Sequence, residues 1–282
     1  MRPFAADDAG SFHGRDAEIV ELIGRLRAGQ REIFVIGPSG SGKSSLVAAG
    51  LLPRLARGLS GLGPFVVREL RPGDQPFSRL CQVLDVLPGQ PLAATERIGE
   101  LLTHRAPGAS VLIVVDQLEE LFTQAGAEER ERFLDALRAL RAEPRCAVIF
   151  TLRADFSGAL MESSLWPERP AQLARVDVSP LRGPALREAI AVPADEVGVT
   201  VEPELIERLM ADAASEPGIL PLLQGPWCSC GTRVRNRGSP WPRTRHWATA
   251  CGAALRWRSR TRLTPPCSGS PQRRPTSRGG SC

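Results

Sequence analysis

The chain is poor in several features that would otherwise narrow its function. Only one of its 282 residues is lysine, and no uncharged apolar run approaches the ~18 residues of a membrane-spanning helix. The missing run excludes a transmembrane anchor, and Asp7 and Asp8 near the N-terminus exclude a signal peptide. We therefore expect a soluble cytoplasmic protein, long enough for one or two domains.

Acidic residues are missing from the last part of the chain. Residues 225–282, here called the tail, contain 12 arginines and no Asp or Glu, whereas residues 1–224 contain 24 basic and 31 acidic side chains. The net charge of +5 therefore comes from the tail alone. Four of the five tryptophans and five of the seven cysteines also lie there, so two kinds of sequence meet near Gln224.

The tail has neither helical nor strand periodicity and allows four interpretations. The first three are a basic arm that binds nucleic acid, a disordered linker, and a metal site built from Cys228, Cys230, Cys251 and Cys267. Those cysteines lack the paired C-x₂₋₄-C spacing of zinc modules. The fourth interpretation is a reading-frame slip, because reading across codon boundaries from Gly225 permits the amphipathic helical text ALVQLWDA. We favour the reading-frame slip. On this interpretation the tail cysteines have no function, and the basic charge of the tail does not indicate a binding partner.

A Gly-rich segment carries the strongest signal in the chain. Residues 37–44 match the phosphate-binding pattern G-x-x-x-x-G-K-[ST], after the strand-like run 33–36 and before the helix-compatible stretch 45–52. Backbone N–H groups of such a loop wrap a phosphate, and the following helix N-terminus adds its positive dipole end. We expect nucleotide contacts from Gly37, Pro38, Ser39, Gly40, Ser41, Gly42, Lys43, Ser44 and Ser45.

Two residues of this loop have specific expected roles. Lys43, the only lysine of the chain, places its charge on the β- and γ-phosphates, and the Ser44 hydroxyl binds Mg²⁺. The alternative, a plain Gly/Ser turn, does not explain why the single lysine falls at this position. The sequence has no N-K-x-D element for reading guanine, so the expected ligands are ATP and ADP rather than GTP.

A second group of site residues follows the apolar run 111–115. This run predicts a strand buried on both faces of a parallel sheet, and Asp116 at its C-terminal end predicts a partner for Mg²⁺. Glu119 and Glu120 either orient or deprotonate an attacking water, or merely place charge at a helix N-terminus. Because many related ATPases carry glutamate where this chain has Gln117, the sequence supports nucleotide binding more firmly than hydrolysis.

A third apolar run, 146–152, predicts another buried strand and ends in Arg153. An arginine at that place can reach a γ-phosphate, although a plain surface arginine is the alternative. Further strands are predicted at 65–67 and 176–178, with helices over 128–140 and 185–192 between and after them. Alternating strands and helices predict a three-layer α/β sandwich with a mainly parallel sheet.

Together these motifs resemble one known family. F-H-G-R at 12–15, the loop at 37–46, R-P-G at 71–73, V-V-D-Q-L-E-E-L-F at 114–122, T-L-R-A-D-F at 151–156 and G-I-L-P-L-L-Q at 218–224 occur in the family's order. Over about 3–224 the chain closely resembles the novel STAND NTPases of type 1. In bacteria these are often fused to WD40 repeats.

The resemblance implies a P-loop ATPase switch, bound to ATP or ADP, that changes its assembly state on a signal. It implies that Lys43 and Ser44 are the Walker A residues, that Asp116 is the Walker B acid, and that Arg153 is the sensor arginine. It also implies nucleotide contacts from Gly14 and Arg15, in the F-H-G-R segment at 12–15 (here called the start motif), and from Pro221 in the helical lid. In the intact family architecture we expect protein partners or self-assembly.

The expected domains are a P-loop NTPase core over 1–180, a partial helical lid over 181–224 and the tail. The winged helix, WD40 sensor and upstream effector are expected to be absent, and the lid breaks at Gln224. Two other functions stay open: a nucleic-acid-associated ATPase that uses the basic tail, and an inert fragment that binds nucleotide too weakly to matter. We expect a protein partner rather than nucleic acid, and we expect no association with a membrane.

Overall fold

The computed structural model describes residues 4, 6–86, 93–166, 173–196 and 201–215, which all belong to one compact unit, Met1–Pro240. Its five strands lie at the predicted positions, although the strand predicted at 65–67 extends to Leu70 and the one predicted at 176–178 covers 174–177 instead. They are β1 (Glu32–Gly37), β2 (Phe65–Leu70), β3 (Ser110–Val115), β4 (Cys146–Arg153) and β5 (Ala174–Asp177).

Ten α-helical segments are present in the described ranges: α1 (Asp16–Arg27), α2 (Lys43–Ser45), α3 (Leu52–Ala56), α4 (Pro76–Val83), α5 (Ala94–Leu102), α6 (Glu120–Thr123), α7 (Ala127–Ala142), α8 (Ser157–Glu162), α9 (Gly183–Glu196) and α10 (Pro203–Ser215). The helix predicted over 45–52 is longer than expected, because α2, a π-helical segment (Leu46–Leu51) and α3 continue one another. Short 3-10 helices occupy Ala6–Ser11 and Ala154–Phe156.

The five strands form one parallel sheet in the order β2-β3-β4-β1-β5. β4 therefore separates the strand that leads into the phosphate loop from the strand that ends before Asp116. Strands β1, β3 and β4 are almost wholly buried, as expected for continuous apolar runs covered on both faces. Ligands of open α/β sheets bind outside the carboxyl ends of the strands, so this order places the candidate residues along one edge.

Two hydrophobic cores cover the two faces of the sheet. One contains Phe34 and Phe150, whose rings stack with centroids 4.8 Å apart, together with residues of α4, α5, α7 and α8. The other contains Ile33 and Val35 of β1 together with residues of α1, the π-helical segment and α3. Alternate residues of β1, β3 and β4 thus enter opposite cores, whereas β5 buries Ala174 and Val176 in the second core and exposes its other two residues. The predicted three-layer α/β P-loop fold is confirmed.

Helix α1 shows how the local sequence places an element. Four of its apolar residues recur at the helical spacing i, i+3, i+4, i+7 and are buried, namely Ile19, Leu22, Ile23 and Leu26, whereas Val20 is exposed. Acidic residues lie in its first turn and arginines in its last, as the helix dipole favours. The buried stripe fixes α1 against the phosphate-loop side of the sheet, close to the site.

Helices α9 and α10 pack against each other, and α9 also contacts the first 3-10 helix. Arg187 of α9 forms an ion pair with Glu207 of α10. The predicted boundary between core and lid, 180/181, falls between β5 and α9 and remains a prediction. Residues 216–282, with Pro221 and the tail cysteines, lie outside the described residues. Among the helices that are described, none is long and apolar enough to cross a membrane.

Candidate nucleotide-binding site

The phosphate loop joins β1 to α2 at the carboxyl edge of the sheet. Gly40 and Gly42 have φ angles of +74° and +93°, left-handed conformations that residues with a Cβ rarely adopt. The Ser41 N–H donates to the Pro38 carbonyl over 3.2 Å, and the Leu46 N–H donates to the Gly42 carbonyl over 2.8 Å. The loop is therefore a closed turn that leads directly into a helix, with the first N–H groups of that helix lacking intrahelical acceptors.

Lys43 is folded back over the loop that precedes it. Its Nζ donates to the carbonyls of Gly37 and Pro38 over 3.0 and 2.9 Å, and only 8% of the residue is exposed. Burial lowers the pKa of the Lys43 ammonium, while the carboxylates of Glu119 and Asp116 raise it. The ammonium is thus a partly desolvated charge, which gains from an incoming anion.

Asp116 lies directly after β3 and connects three neighbouring elements. Its Oδ1 accepts hydrogen bonds from the hydroxyls of Ser44, at 2.5 Å, and Thr151, at 2.7 Å. Its Oδ2 accepts a hydrogen bond from Nε of Arg71 at 3.0 Å and forms an ion pair with Nη2, also at 3.0 Å. The structure therefore brings together Ser44 and Asp116, the two residues predicted to hold Mg²⁺.

Thr151 is a site residue that the sequence reasoning missed. It is fully buried in β4, and besides its bond to Asp116 its hydroxyl accepts from the N–H of Gln117 at 2.9 Å. Its carbonyl accepts from the N–H of Leu118, so it fixes the turn in which Gln117 has a φ of +61°. The sequence does contain one signal for it, because Thr151 is a hydroxyl residue near the end of an otherwise apolar strand. A buried hydroxyl there needs a hydrogen-bond partner.

Glu119 and Glu120 point to different parts of the structure. Glu119 Oε2 accepts from the backbone N–H of Arg153 at 3.2 Å, and among neighbouring charges Glu119 has the largest effect on the pKa of Lys43. Glu120 Oε2 accepts from the N–H of Gly73 at 3.0 Å. Glu119 is therefore the one that faces the phosphate loop, whereas Glu120 holds the turn after β2.

Arg153 ends β4 beside the last residue of β1, since it pairs in register with Gly37. Its guanidinium donates to both oxygens of Asp155 at 3.1 and 2.6 Å and lies over the Phe156 ring, 5.4 Å from the centroid. Hydrogen bonding to Asp155 raises the pKa of Arg153 further. The side chain is exposed enough to leave this pair, because surface ion pairs contribute little.

Arg15 and Ser45, both predicted to contact nucleotide, are occupied by protein partners here. The buried Arg15 donates through Nη2 to the carbonyls of Ser41 and Ser179, each at 2.7 Å, and through Nη1 to Glu18 at 2.5 Å. Ser45 Oγ accepts from the N–H of Phe4 at 3.2 Å. Arg15 thus supports the phosphate loop from behind, and Ser45 anchors the start of the described chain.

Gly14 allows a close contact between the start motif and α9. Its φ is +79°, and a Cβ at this position would lie 2.2 Å from the carbonyl oxygen of Ala185. We expect Gly14→Ala to lower the free energy of unfolding by about 3 kcal/mol, since it adds backbone strain to a steric clash. Denaturant unfolding of the variant and the wild type measures this loss.

Gly29 provides the matched control for that substitution. It has a similar φ of +75°, but an added Cβ would meet nothing within 4 Å. Gly29→Ala therefore isolates the backbone cost, about 1 kcal/mol. Equal losses for the two variants would show that the contact with Ala185 is not tight in solution.

The residues present fit a nucleotide with Mg²⁺. Ser41 Oγ, in the middle of the loop, is a buried polar atom without a hydrogen-bond partner, as expected beside a ligand. Within the described ranges no cluster of three or more His, Cys, Asp or Glu side chains could hold a metal. Magnesium does not require one, because it takes one or two protein ligands and completes its shell with phosphates and waters. Ser44 and Asp116 are the matching pair.

Several solved structures have a similar fold. A Walker-type ATPase of Pyrococcus abyssi aligns with a TM-score of 0.54 and 16% identity, covering 93% of this chain and 76% of that chain. The ORC2 protein of Aeropyrum pernix, in its ADP form, gives 0.55 and 15%, with 86% and 67% covered. PCH-2 of C. elegans gives 0.54 and 15%, with 88% and 69% covered. Identities this low show the shared fold alone.

Comparison with curated proteins gave no significant match. The family model described as Novel STAND NTPase 1 matches residues 1–225, which is most of the chain and includes every candidate site residue. The match agrees with the motifs and with the geometry of the phosphate loop, Lys43 and Asp116. The chain therefore belongs to the Novel STAND NTPase 1 family.

Proposed function

We propose that the chain is an ATP- and ADP-binding regulatory ATPase module of a signal-transduction switch. The observation that carries the proposal is the arrangement of Lys43 and Ser44. The only lysine of the chain is buried over the phosphate loop, and the adjacent hydroxyl is bonded to Asp116 at the end of a neighbouring strand. This combination suits a triphosphate or diphosphate with a divalent cation.

In this proposal each side chain has a separate task. Lys43 binds the β- and γ-phosphates, while Ser44 and Asp116 hold Mg²⁺, which neutralises phosphate charge when bound. Glu119, which faces Lys43, orients the attacking water or accepts its proton. Arg153 exchanges Asp155 for the γ-phosphate and so distinguishes ATP from ADP.

The proposed output is a change of state rather than rapid turnover. Gln117 stands directly after Asp116, and Glu119 is held on the backbone N–H of Arg153, so hydrolysis is expected to be slow. A slow ATPase stays in its ATP-bound state long enough for a protein partner or a second copy to read it. In the intact family architecture, a sensor domain would then connect the nucleotide state to a signal.

A thermal-shift titration of the full chain with ATP and ADP, each with Mg²⁺, tests nucleotide binding. Saturating stabilisation is expected with both, since a ligand at 100 times its Kd adds about 2.7 kcal/mol to the free energy of unfolding. GTP is the matched control and should shift the melting temperature less. An unchanged melting temperature at millimolar ATP and ADP would contradict the proposal.

A further inference from the structure

Two neighbouring strands, β2 and β3, are each followed by a charged residue, and these two residues lie side by side. The registers pair Leu70 with Val115 and Val115 with Phe150, so the residues that follow β2 and β3 are also adjacent. Arg71 therefore stands beside Asp116, on the side away from β4. This arginine belongs to the R-P-G segment at 71–73, to which the proposed function assigns no task.

Arg71 occupies the part of Asp116 that the hydroxyl groups leave open. Ser44 and Thr151 donate to Oδ1, whereas Arg71 donates to Oδ2 through Nε at 3.0 Å and pairs with it through Nη2 at the same distance. Both carboxylate oxygens thus have partners without any cation. The side chain of Asp116 is 17% exposed and that of Arg71 is 45% exposed, so the arginine covers the carboxylate from the solvent side.

The turn that follows Arg71 is tied to the same site. The N–H of Gly73 donates to Glu120 Oε2, and three residues later the chain enters α4. Glu129 of α7 accepts from the N–H of Phe77 at the start of α4, at 3.2 Å. Arg71 is therefore connected to α4 and α7 by a short segment that is hydrogen-bonded to Glu120 and Glu129.

We propose that Arg71 is a positioning residue that competes with Mg²⁺ for the Asp116 carboxylate and is released when the metal enters. The inference rests on the proposed function, because Mg²⁺ arrives with the nucleotide. A divalent cation beside Asp116 repels the guanidinium, and an arginine this exposed leaves at small cost. Ser44 and Thr151 keep Asp116 in position during the exchange.

The test measures how much Mg²⁺ is needed, not how fast ATP is hydrolysed. At fixed ADP, MgCl₂ is varied and the melting temperature of the full chain is followed for the wild type and for Arg71→Ala. We expect the variant to reach its half-maximal shift at about one fifth of the wild-type Mg²⁺ concentration, the factor for losing one exposed ion pair. Binding of Mg²⁺ to ADP in solution is common to both proteins and cancels in the comparison.

Arg68→Ala is the matched control, because Arg68 lies in β2, three residues before Arg71, and pairs with Asp85, at 3.6 Å, outside the site. It removes the same charge and should leave the Mg²⁺ midpoint unchanged. Arg71→Lys keeps the charge but loses the guanidinium fork, so its midpoint should lie between those of the wild type and Arg71→Ala.

The outcomes separate this inference from the proposed function. A wild type that responds to ADP while its Mg²⁺ midpoint equals that of Arg71→Ala overturns the competition alone. A variant that loses ADP affinity with an unchanged or higher midpoint also overturns it, since Arg71 would then bind phosphate. A wild type without any nucleotide response overturns the proposed function, and the inference with it.

Discussion

Lys43→Ala is expected to weaken the binding of ATP and ADP at least about a hundredfold, the largest effect of any single substitution in this chain. The Lys43 ammonium is buried over the loop, and no other lysine exists to replace it. A buried charge that meets a phosphate forms short, charge-assisted hydrogen bonds in a place from which water is excluded. Nucleotide titration monitored by thermal shift or calorimetry measures the loss.

The fold should tolerate this substitution. Alanine removes hydrogen bonds to the carbonyls of Gly37 and Pro38, but it also removes a desolvated charge, so the nucleotide-free stability should change by less than about 1 kcal/mol. Arg57→Ala serves as the charge control, because Arg57 is exposed at the end of α3. If Lys43→Ala binds nucleotide as the wild type does, the assignment of the phosphate loop is wrong.

Asp116→Asn is expected to remove the dependence of nucleotide binding on Mg²⁺. The asparagine carbonyl still accepts from Ser44 and Thr151, so the site keeps its shape while the charge that attracts the cation is lost. Affinity for ADP without Mg²⁺ should stay within about twofold of the wild type, because Lys43 and the loop are unchanged. The same titration, with and without Mg²⁺, gives both numbers.

Asp85→Asn is the control for the charge change. Asp85 is an exposed carboxylate that pairs with Arg68 and Arg97 and does not belong to the site. The Asp85→Asn substitution should leave the dependence of nucleotide binding on Mg²⁺ unchanged. Were Asp116→Asn to keep the full Mg²⁺ effect, the metal would be held elsewhere and the role of Ser44 would need revision too.

The sequence was sufficient to predict the fold and the position of the phosphate loop. Apolar runs buried on both faces of a parallel sheet need no alternation, so β1, β3 and β4 could be recognised from composition alone. The phosphate loop could be recognised because its glycines and lysine occur at fixed spacing between a strand and a helix. Each of these signals lies within one contiguous stretch of sequence. It can therefore be recognised without knowing which strands are neighbours in the sheet.

The parts that the sequence could not supply depend on which strands are neighbours. Thr151 is an ordinary strand residue until β4 is placed between β1 and β3, where its hydroxyl meets Asp116. Arg71 likewise becomes a partner of Asp116 only through the pairing of β2 with β3. Glu119 and Glu120 are adjacent in sequence, and only the turn at Gln117 decides that one faces the loop and the other does not.

The buried Arg15 also bears on the kinetics of nucleotide exchange. Its guanidinium joins the carbonyl of Ser41 to that of Ser179, so the loop is braced by a residue from before β1 and by the segment that follows β5. A loop braced in this way keeps its curvature when empty, and little conformational entropy is lost when a ligand arrives. Nucleotide should then associate without a slow rearrangement of the loop. Differences in affinity between nucleotides should therefore appear mainly in their dissociation rates.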